Sequence, residues 1–292
     1  MSKKLWGGRF EKKSDDLMER FSSSLDFDCR LYETDIEAGI AHARVLREGG
    51  YLNGREEKEI VRALNEIREE IETGRLSLAA DEHEDIHSVI LARLIDKTGE
   101  TGKKLHAGRS RNDLIVLDTR IYLLRELETI SSAIETLQTA LVKQGRCCQS
   151  VIIPGYTHLQ HAQPVLFAHH LLAYVEMLER DKERLADARK RVDVLPSGSA
   201  ALSGTGLKLD QKLMARLLGF SRVTANSLDA VSDRDFIAEP IAVLALIGMH
   251  LSRLGEELVL WSGREFGFIE LDEAYCTGSS FLPRRRIPIR PS

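Results

Sequence analysis

Residues 113–145 read DLIVLDTRIYLLRELETISSAIETLQTALVKQG, with no glycine or proline before the final position. Apolar side chains recur three or four residues apart at Leu117, Ile121, Leu124 and Leu127, and again at Ile134, Leu137 and Leu141. That spacing lines them up on one face of a helix. A helix this long extends beyond one small core and often serves a larger assembly. The stretch therefore predicts a long-helix fold and oligomerisation.

Two further stretches agree with it. Pro164 stands where a helix would start, and helical patterning continues to about Val194. A third segment runs from about Asp235 to Glu265 and is apolar almost all round at Ile241-Ala242-Val243-Leu244-Ala245-Leu246-Ile247. A helix apolar on every side is expected to be buried among other helices. Joined by short Gly/Ser/Pro connections, the three predict an elongated bundle. Shorter amphipathic helices precede them. Residues 31–49 carry Ile36, Ile40 and Ala43 and stop at Gly49-Gly50, and residues 54–73 carry Ile60, Leu64, Ile67 and Ile71 among Glu, Arg and Lys. Strand signals are scarce. The expected fold class is all-α: a small N-terminal helical domain over 1–112, an incomplete central helical bundle over 113–283, and a tail over 284–292.

Composition narrows the function classes. At 292 residues, 43% hydrophobic and 29% charged, the chain can bury a full core and is not expected to be disordered. A net charge of −4 does not suggest a nucleic-acid or anionic-membrane partner. No apolar run is expected to approach the roughly 20 residues needed to span a bilayer. The start, Met1-Ser2-Lys3-Lys4-Leu5-Trp6, lacks the apolar core of a signal peptide. Of four cysteines, two are adjacent (Cys147, Cys148), and their spacing makes no metal or disulfide pattern. Idle or buried thiols in a reducing cytoplasm are the expectation.

Four polar stretches interrupt the helices. His106-Ala107-Gly108-Arg109-Ser110-Arg111-Asn112-Asp113 places two guanidinium groups, an amide and a hydroxyl just before a long helix. This suits a carboxylate, held by an Arg fork and free helix N–H groups, or else a solvated cap closed by Asp113. Pro154-Gly155-Tyr156-Thr157-His158-Leu159-Gln160-His161-Ala162-Gln163-Pro164 is a loop dense in Thr, His and Gln. Either histidine could be an acid or base near neutral pH, or merely bond backbone at a helix junction. Ser197-Gly198-Ser199-Ala200-Ala201-Leu202-Ser203-Gly204-Thr205-Gly206 suits an anion nest or a flexible connection. It lacks a P-loop lysine and follows no strand pattern, so nucleotide binding is not expected. Gly278-Ser279-Ser280 is small enough for a mobile loop, but an isolated serine needs a nearby cation or oriented N–H groups to act as a base. His83-Glu84-Asp85-Ile86-His87 fits H-E-x-x-H, yet that chemistry needs a helix and a third ligand; no metal is expected.

Together these stretches resemble the argininosuccinate lyase family of the fumarase/aspartase superfamily. The likeness begins at Leu5-Trp6-Gly7-Gly8-Arg9-Phe10 and runs through Glu84-Asp85-Ile86-His87, the Gly-Arg-Ser-Arg-Asn-Asp turn and Gly-Tyr-Thr-His-Leu-Gln. It continues through Asn226-Ser227-Leu228-Asp229-Ala230 and Asp233-Arg234-Asp235-Phe236 to Gly278-Ser279-Ser280. The resemblance implies reversible cleavage of argininosuccinate to arginine and fumarate in the cytoplasm, as in arginine biosynthesis, with no metal or organic cofactor. It implies a homotetramer whose active sites gather stretches from three subunits. It further implies Ser279 and His158 as the catalytic pair, without deciding which is the base. Ser24, Arg111, Asn112 and Thr157 match substrate-binding positions, with Arg234 and Ser280 in support. The alternatives are another fumarate-releasing lyase of the superfamily, or a non-catalytic helical structural or partner subunit.

The chain departs from the family pattern in places. Leu114 stands where Gln is usual, His161 where Arg is commoner, and Leu282 where Met is usual. After Pro283 the family continues Gln-Lys-Lys-Asn-Pro-Asp, whereas this chain has Arg284-Arg285-Arg286-Ile287-Pro288-Ile289. Codons can be written for that continuation, CAG-AAG-AAG-AAT-CCC-GAT, that read one base out of frame as AGA-AGA-AGA-ATC-CCG-AT: five codons for Arg284 to Pro288 and the first two bases of a codon for Ile289. A frameshift and truncation within the signature loop is therefore expected. Arg is not a positional substitute for the loop Lys, so the 292-residue polypeptide is expected to be inactive or nearly so.

Overall fold

The computed structural model of the chain describes residues 15–76, 78, 83–278 and 286–288. Among them the helices are α1 (Asp16–Ser22), α2 (Leu25–Asp28), α3 (Tyr32–Glu48), α4 (Gly54–Glu72), α5 (Ile86–Thr98) and α6 (Glu100–Lys103). The long α7 (Arg111–Cys147) follows, then α8 (Phe167–Val192), α9 (Gln211–Leu218), α10 (Ser227–Ser232) and α11 (Asp235–Ser262). Short strands form three pairs: β1 (Ile152–Thr157) antiparallel to β2 (Gln160–Leu166), β3 (Val194–Leu195) parallel to β4 (Arg222–Val223), and β5 (Cys276–Gly278) antiparallel to β6 (Arg286–Pro288). The fold is thus helical, as the periodicity predicts, and α7 runs without a break through the stretch quoted above.

Local chemistry sets the helix ends. Asn53 caps α4 by accepting from the N–H groups of Arg55 at 2.9 Å and Glu56 at 3.0 Å, while Glu56 accepts from the Asn53 N–H at 2.9 Å. This reciprocal box satisfies donors that the first helical turn leaves unpaired. Asn53→Ala is therefore expected to cost about 1 kcal/mol, read as a lowered denaturant midpoint. Asp85 caps α5 through the Ser88 N–H, and Gly219, at φ 76°, closes α9 in the left-handed region where a side chain would be strained.

The chain divides into two compact units, with boundaries that fall inside α7, α8 and α11. The first takes in the described parts of 1–126 and 190–236. Here α3 is buried on two faces. Ile36 and Leu46 pack with Ile60, Leu64 and Ile67 of α4 and Ile90 and Leu94 of α5. Ala38, Ala41 and Val45 pack with Leu114, Leu117 and Ile121 of α7 and Met214 of α9. Arg120 of α7 donates to the Arg191 carbonyl at 2.7 Å, to that of Val192 at 3.1 Å and to Asp233 at 2.7 Å, with its guanidinium over the Phe236 ring.

The second unit takes in 127–189 and the described parts of 237–292. Gln138 of α7 donates to the Val175 carbonyl at 3.1 Å and the Glu179 carboxylate at 2.9 Å, both on α8. Buried Asp181 of α8 meets His250 Nδ1 of α11 at 2.6 Å and Arg184 at 2.9 Å. Trp261 packs edge-on against Phe167 and His170, and His170 bonds Glu257 at 2.6 Å.

Two expectations are corrected here. Pro164 does not start a helix: it lies in β2 opposite Pro154, and α8 starts at Phe167. Each strand of a two-stranded hairpin has an open edge, where a missing N–H breaks no ladder bond. Nor is α11 wrapped by apolar neighbours in the single chain. Over its most apolar window only 28% of residues are buried, and Ile241, Leu244, Met249 and Leu251 are exposed. By length and composition alone α11 could cross a membrane, a property hidden from a search for uninterrupted apolar runs because charged residues such as Glu239 and Arg253 break the run. In this structure its His250 is engaged by α8.

Candidate functional site

In the first unit the sequence motifs converge where α2, α5 and α7 begin. Ser24, just before α2, donates its hydroxyl to Asp28 at 2.6 Å, and its N–H bonds the Glu84 carbonyl at 2.8 Å. The other Asp28 oxygen accepts from the Ile86 N–H at 3.1 Å, tying α2 to the first turn of α5. Arg111, the first residue of α7, reaches the same turn. Its Nη2 donates to Ser88 at 2.8 Å, Nη1 lies 3.3 Å from a Glu84 carboxylate oxygen, and Nε lies 3.1 Å from Asp85. Ser24 and Arg111 thus both bear on Glu84, although 87 positions of sequence separate them (111 − 24).

Asn112 sits beside Arg111 but is exposed, and its amide donates to the Ala201 carbonyl at 2.9 Å. Asp113 explains how the turn is held. It accepts from the N–H groups of Ser110 at 2.9 Å and Ala200 at 3.0 Å, with a further bond from that of Gly198. Asp113 thus holds the arginine turn, while the Arg111 guanidinium is taken up by Glu84, Asp85 and Ser88. The Ser/Gly stretch becomes a loop clasped by Asp113. Gly198 is required there, being at φ 91°, where an added Cβ would lie 2.3 Å from the Gln211 amide nitrogen.

The electrostatics beneath this cluster follow from burial. Desolvation raises the carboxyl of Asp28 above its ordinary range, against the bonds from Ser24 and Ile86. Asp118 is held well above its ordinary range by burial and then by neighbouring Asp35. Asp35 in turn lies 2.9 Å from His87 Nδ1. Burial lowers His106 and pushes His42 down to about 3, and His42 Nε2 bonds the Ala107 carbonyl at 2.9 Å. As for His83-Glu84-Asp85-Ile86-His87, the helix begins only at Ile86, so the two histidines do not share a helical face.

Arg234 follows the Arg120–Asp233 bond directly; it is exposed and donates to the carbonyls of Val231 at 3.1 Å and Asp233 at 2.6 Å. In the second unit, Thr157 and His158 occupy the tip of the β1–β2 hairpin. The polar loop read from the sequence is a tight two-residue turn, with Thr157 paired to Gln160 and His158 and Leu159 between them at φ 53° and 59°. Positive φ at both central positions matches the right-handed twist of the strands, but histidine and leucine stand where glycine or asparagine is usual. His158 is exposed at this strained tip. Ser279 and Ser280 lie outside the described residues.

Glu84 and Asp85 enter the sequence reading only within a motif and a decoy, and Asp28 and Ser88 do not enter it. The signal for Asp28 was available: an acid four residues after Ser24, beside another short acidic helix start. Ser88 carried none, being one polar residue in an apolar helix.

Residues 8–291 match the lyase family. The argininosuccinate lyase of Moorella thermoacetica is 52% identical over 285 residues, covering 98% of this chain and 61% of that protein. That of Azotobacter vinelandii is 51% identical over 286 residues, covering 98% and 61%. Among solved structures, an EDDS lyase variant with bound fumarate is similar with a TM-score of 0.82 and 29% identity, covering 94% of this chain and 55% of that one. A fumarate lyase:delta crystallin from Brucella melitensis bound to cobalt shares the fold at a TM-score of 0.74 and 19% identity, covering 97% and 65%. The chain spans 61% to 64% of the length of the curated relatives it matches.

Proposed function

We propose that this chain, which belongs to the lyase family, carries the machinery of argininosuccinate lyase: reversible elimination of fumarate from argininosuccinate to leave arginine. The observation that carries the reading is identity of about half the residues to argininosuccinate lyases over nearly the whole chain (52% over 285 residues for one). The cluster around Arg111 supports it. Argininosuccinate presents carboxylates and a guanidinium together, and the turn offers a guanidinium beside the carboxylates of Glu84 and Asp85.

The chemistry accounts for the residue types. A base removes the proton next to a carboxylate, and the carbanion is stabilised as an aci-carboxylate. An acid protonates the departing guanidinium nitrogen. The extra charge on the carboxylate calls for arginine and amide donors, which Arg111 and Asn112 supply in this reading. Ser24 and Thr157 add hydroxyl donors, with Arg234 and Ser280 in support. Ser279 and His158 form the acid/base pair. The reaction needs no cofactor. The homotetramer remains part of the proposal: the exposed apolar face of α11 is of the kind that marks an interface between subunits.

The test is fumarate absorbance on argininosuccinate, measured for the 292-residue chain and for a protein in which the alternative frame is read after Pro283. Turnover by the second and none by the first is expected. Turnover by neither, with malate, aspartate or adenylosuccinate as alternative substrates, favours a different superfamily reaction if one of them reacts. A non-catalytic scaffold follows if none does.

A further inference from the structure

We infer that Tyr156 and His161 form a positioning pair that fixes His158 in its strained turn; the inference rests on His158 being an acid/base of the proposed reaction. The pair is the first cross-strand rung below the closing residues Thr157 and Gln160. Tyr156 Oη and His161 Nε2 are hydrogen-bonded at 3.1 Å, and the two rings lie 5.0 Å apart at 39°. The turn itself has little to hold it. His158 and Leu159 both adopt positive φ, a conformation that is strained for residues other than glycine and persists only where the surroundings over-determine it. Leu159 is 68% exposed, so burial does not compensate. The determinant must therefore come from the arms.

Those arms are anchored. Tyr156 packs edge-on against Phe266 at 5.3 Å, and Phe266 packs on Phe268 at 5.8 Å. The Phe268 N–H donates to the Trp261 carbonyl at 2.8 Å, at the end of α11. Contacts thus run from α11 through two phenylalanines to the Tyr156–His161 rung, one residue from the turn. A register slip or rotation at this rung would move the His158 imidazole by an ångström or more, and misplacement on that scale costs catalysis heavily.

The experiment uses His161→Ala and His161→Gln. Glutamine keeps an amide that can bond the Tyr156 hydroxyl in either sense. Hydrogen–deuterium exchange of the 152–166 peptide is followed in the 292-residue chain and in the restored-frame protein, and kcat and KM are measured in the latter. His161→Ala is expected to speed exchange of the hairpin and lower kcat by about 10- to 100-fold with KM nearly unchanged. His161→Gln is expected to restore most of both. Unchanged exchange in His161→Ala, or a fall in KM and kcat together that Gln does not rescue, would overturn the inference. If the restored protein does not cleave argininosuccinate, the functional reading fails, while the exchange rates still decide whether this pair holds the turn.

Discussion

His158→Gln is expected to lower kcat for argininosuccinate cleavage by about 10²- to 10⁴-fold in the restored-frame protein, the usual worth of one positioned acid or base. Its thermal midpoint should hardly move. The argument is positional. His158 is exposed at the tip of the β1–β2 hairpin, so it contributes little packing, and glutamine inherits the same φ of 53° without adding strain. The fold therefore has no evident use for a histidine there, and a large kinetic loss would place its role in proton transfer. If kcat/KM falls no more than a few fold, the acid/base assignment of His158 is wrong, and Ser279 with its loop must do both proton transfers. A large drop in midpoint would point instead to an unrecognised structural role. Circular dichroism melts beside steady-state fumarate assays separate these outcomes.

The helices were legible because apolar spacing reports a helix face directly. Residues 31–49, 54–73 and 113–145 became α3, α4 and α7 within a few residues. The β1–β2 hairpin was not legible. Thr157-His158-Leu159-Gln160 has none of the Asn-Gly or Gly-Gly chemistry that announces a two-residue turn, and Pro154 and Pro164 read as breakers rather than as opposed strand residues. The face of α11 was misjudged for a different reason. A helix apolar all round says that its surface must be covered, but not whether the cover comes from its own chain. The site was half legible. Arg111 and Asn112 announce themselves as donors in one turn, whereas the contacts that hold Arg111, with Glu84, Asp85 and Ser88, depend on α5 meeting the start of α7. No local pattern encodes that meeting.

Acidification from pH 6.5 towards 3 is expected to destabilise the first unit through His42, by as much as on the order of 5 kcal/mol. His42 is 3% exposed on α3, its Nε2 bonds the Ala107 carbonyl, and burial followed by the Arg109 charge pushes its pKa down to about 3. In the unfolded chain the same imidazole titrates near 6.5. Between those values the unfolded state binds a proton that the folded state refuses, so stability falls as pH falls through this window and is fully present above it. Other groups overlap the window with both signs. His106, lowered by desolvation and the Arg109 charge, acts in the same direction, as does Glu70, whose pKa of about 2 reflects its bonds to Arg93 and Lys97 and whose contribution is lost at still lower pH. Asp28, Asp113 and Asp118, all raised by burial, act in the opposite direction. The diagnostic is therefore a difference. His42→Gln can keep the donor to the Ala107 carbonyl and cannot take up a proton, so its urea midpoint should fall less steeply than that of the unmutated chain below pH 6.5. The variant starts lower at neutral pH, because glutamine fills the ring's space imperfectly, and the two curves converge or cross near pH 4. Parallel curves would mean that His42 is protonated in the folded state, and would remove the neutral imidazole from the account of how α3 holds the Ala107 turn ahead of Arg111.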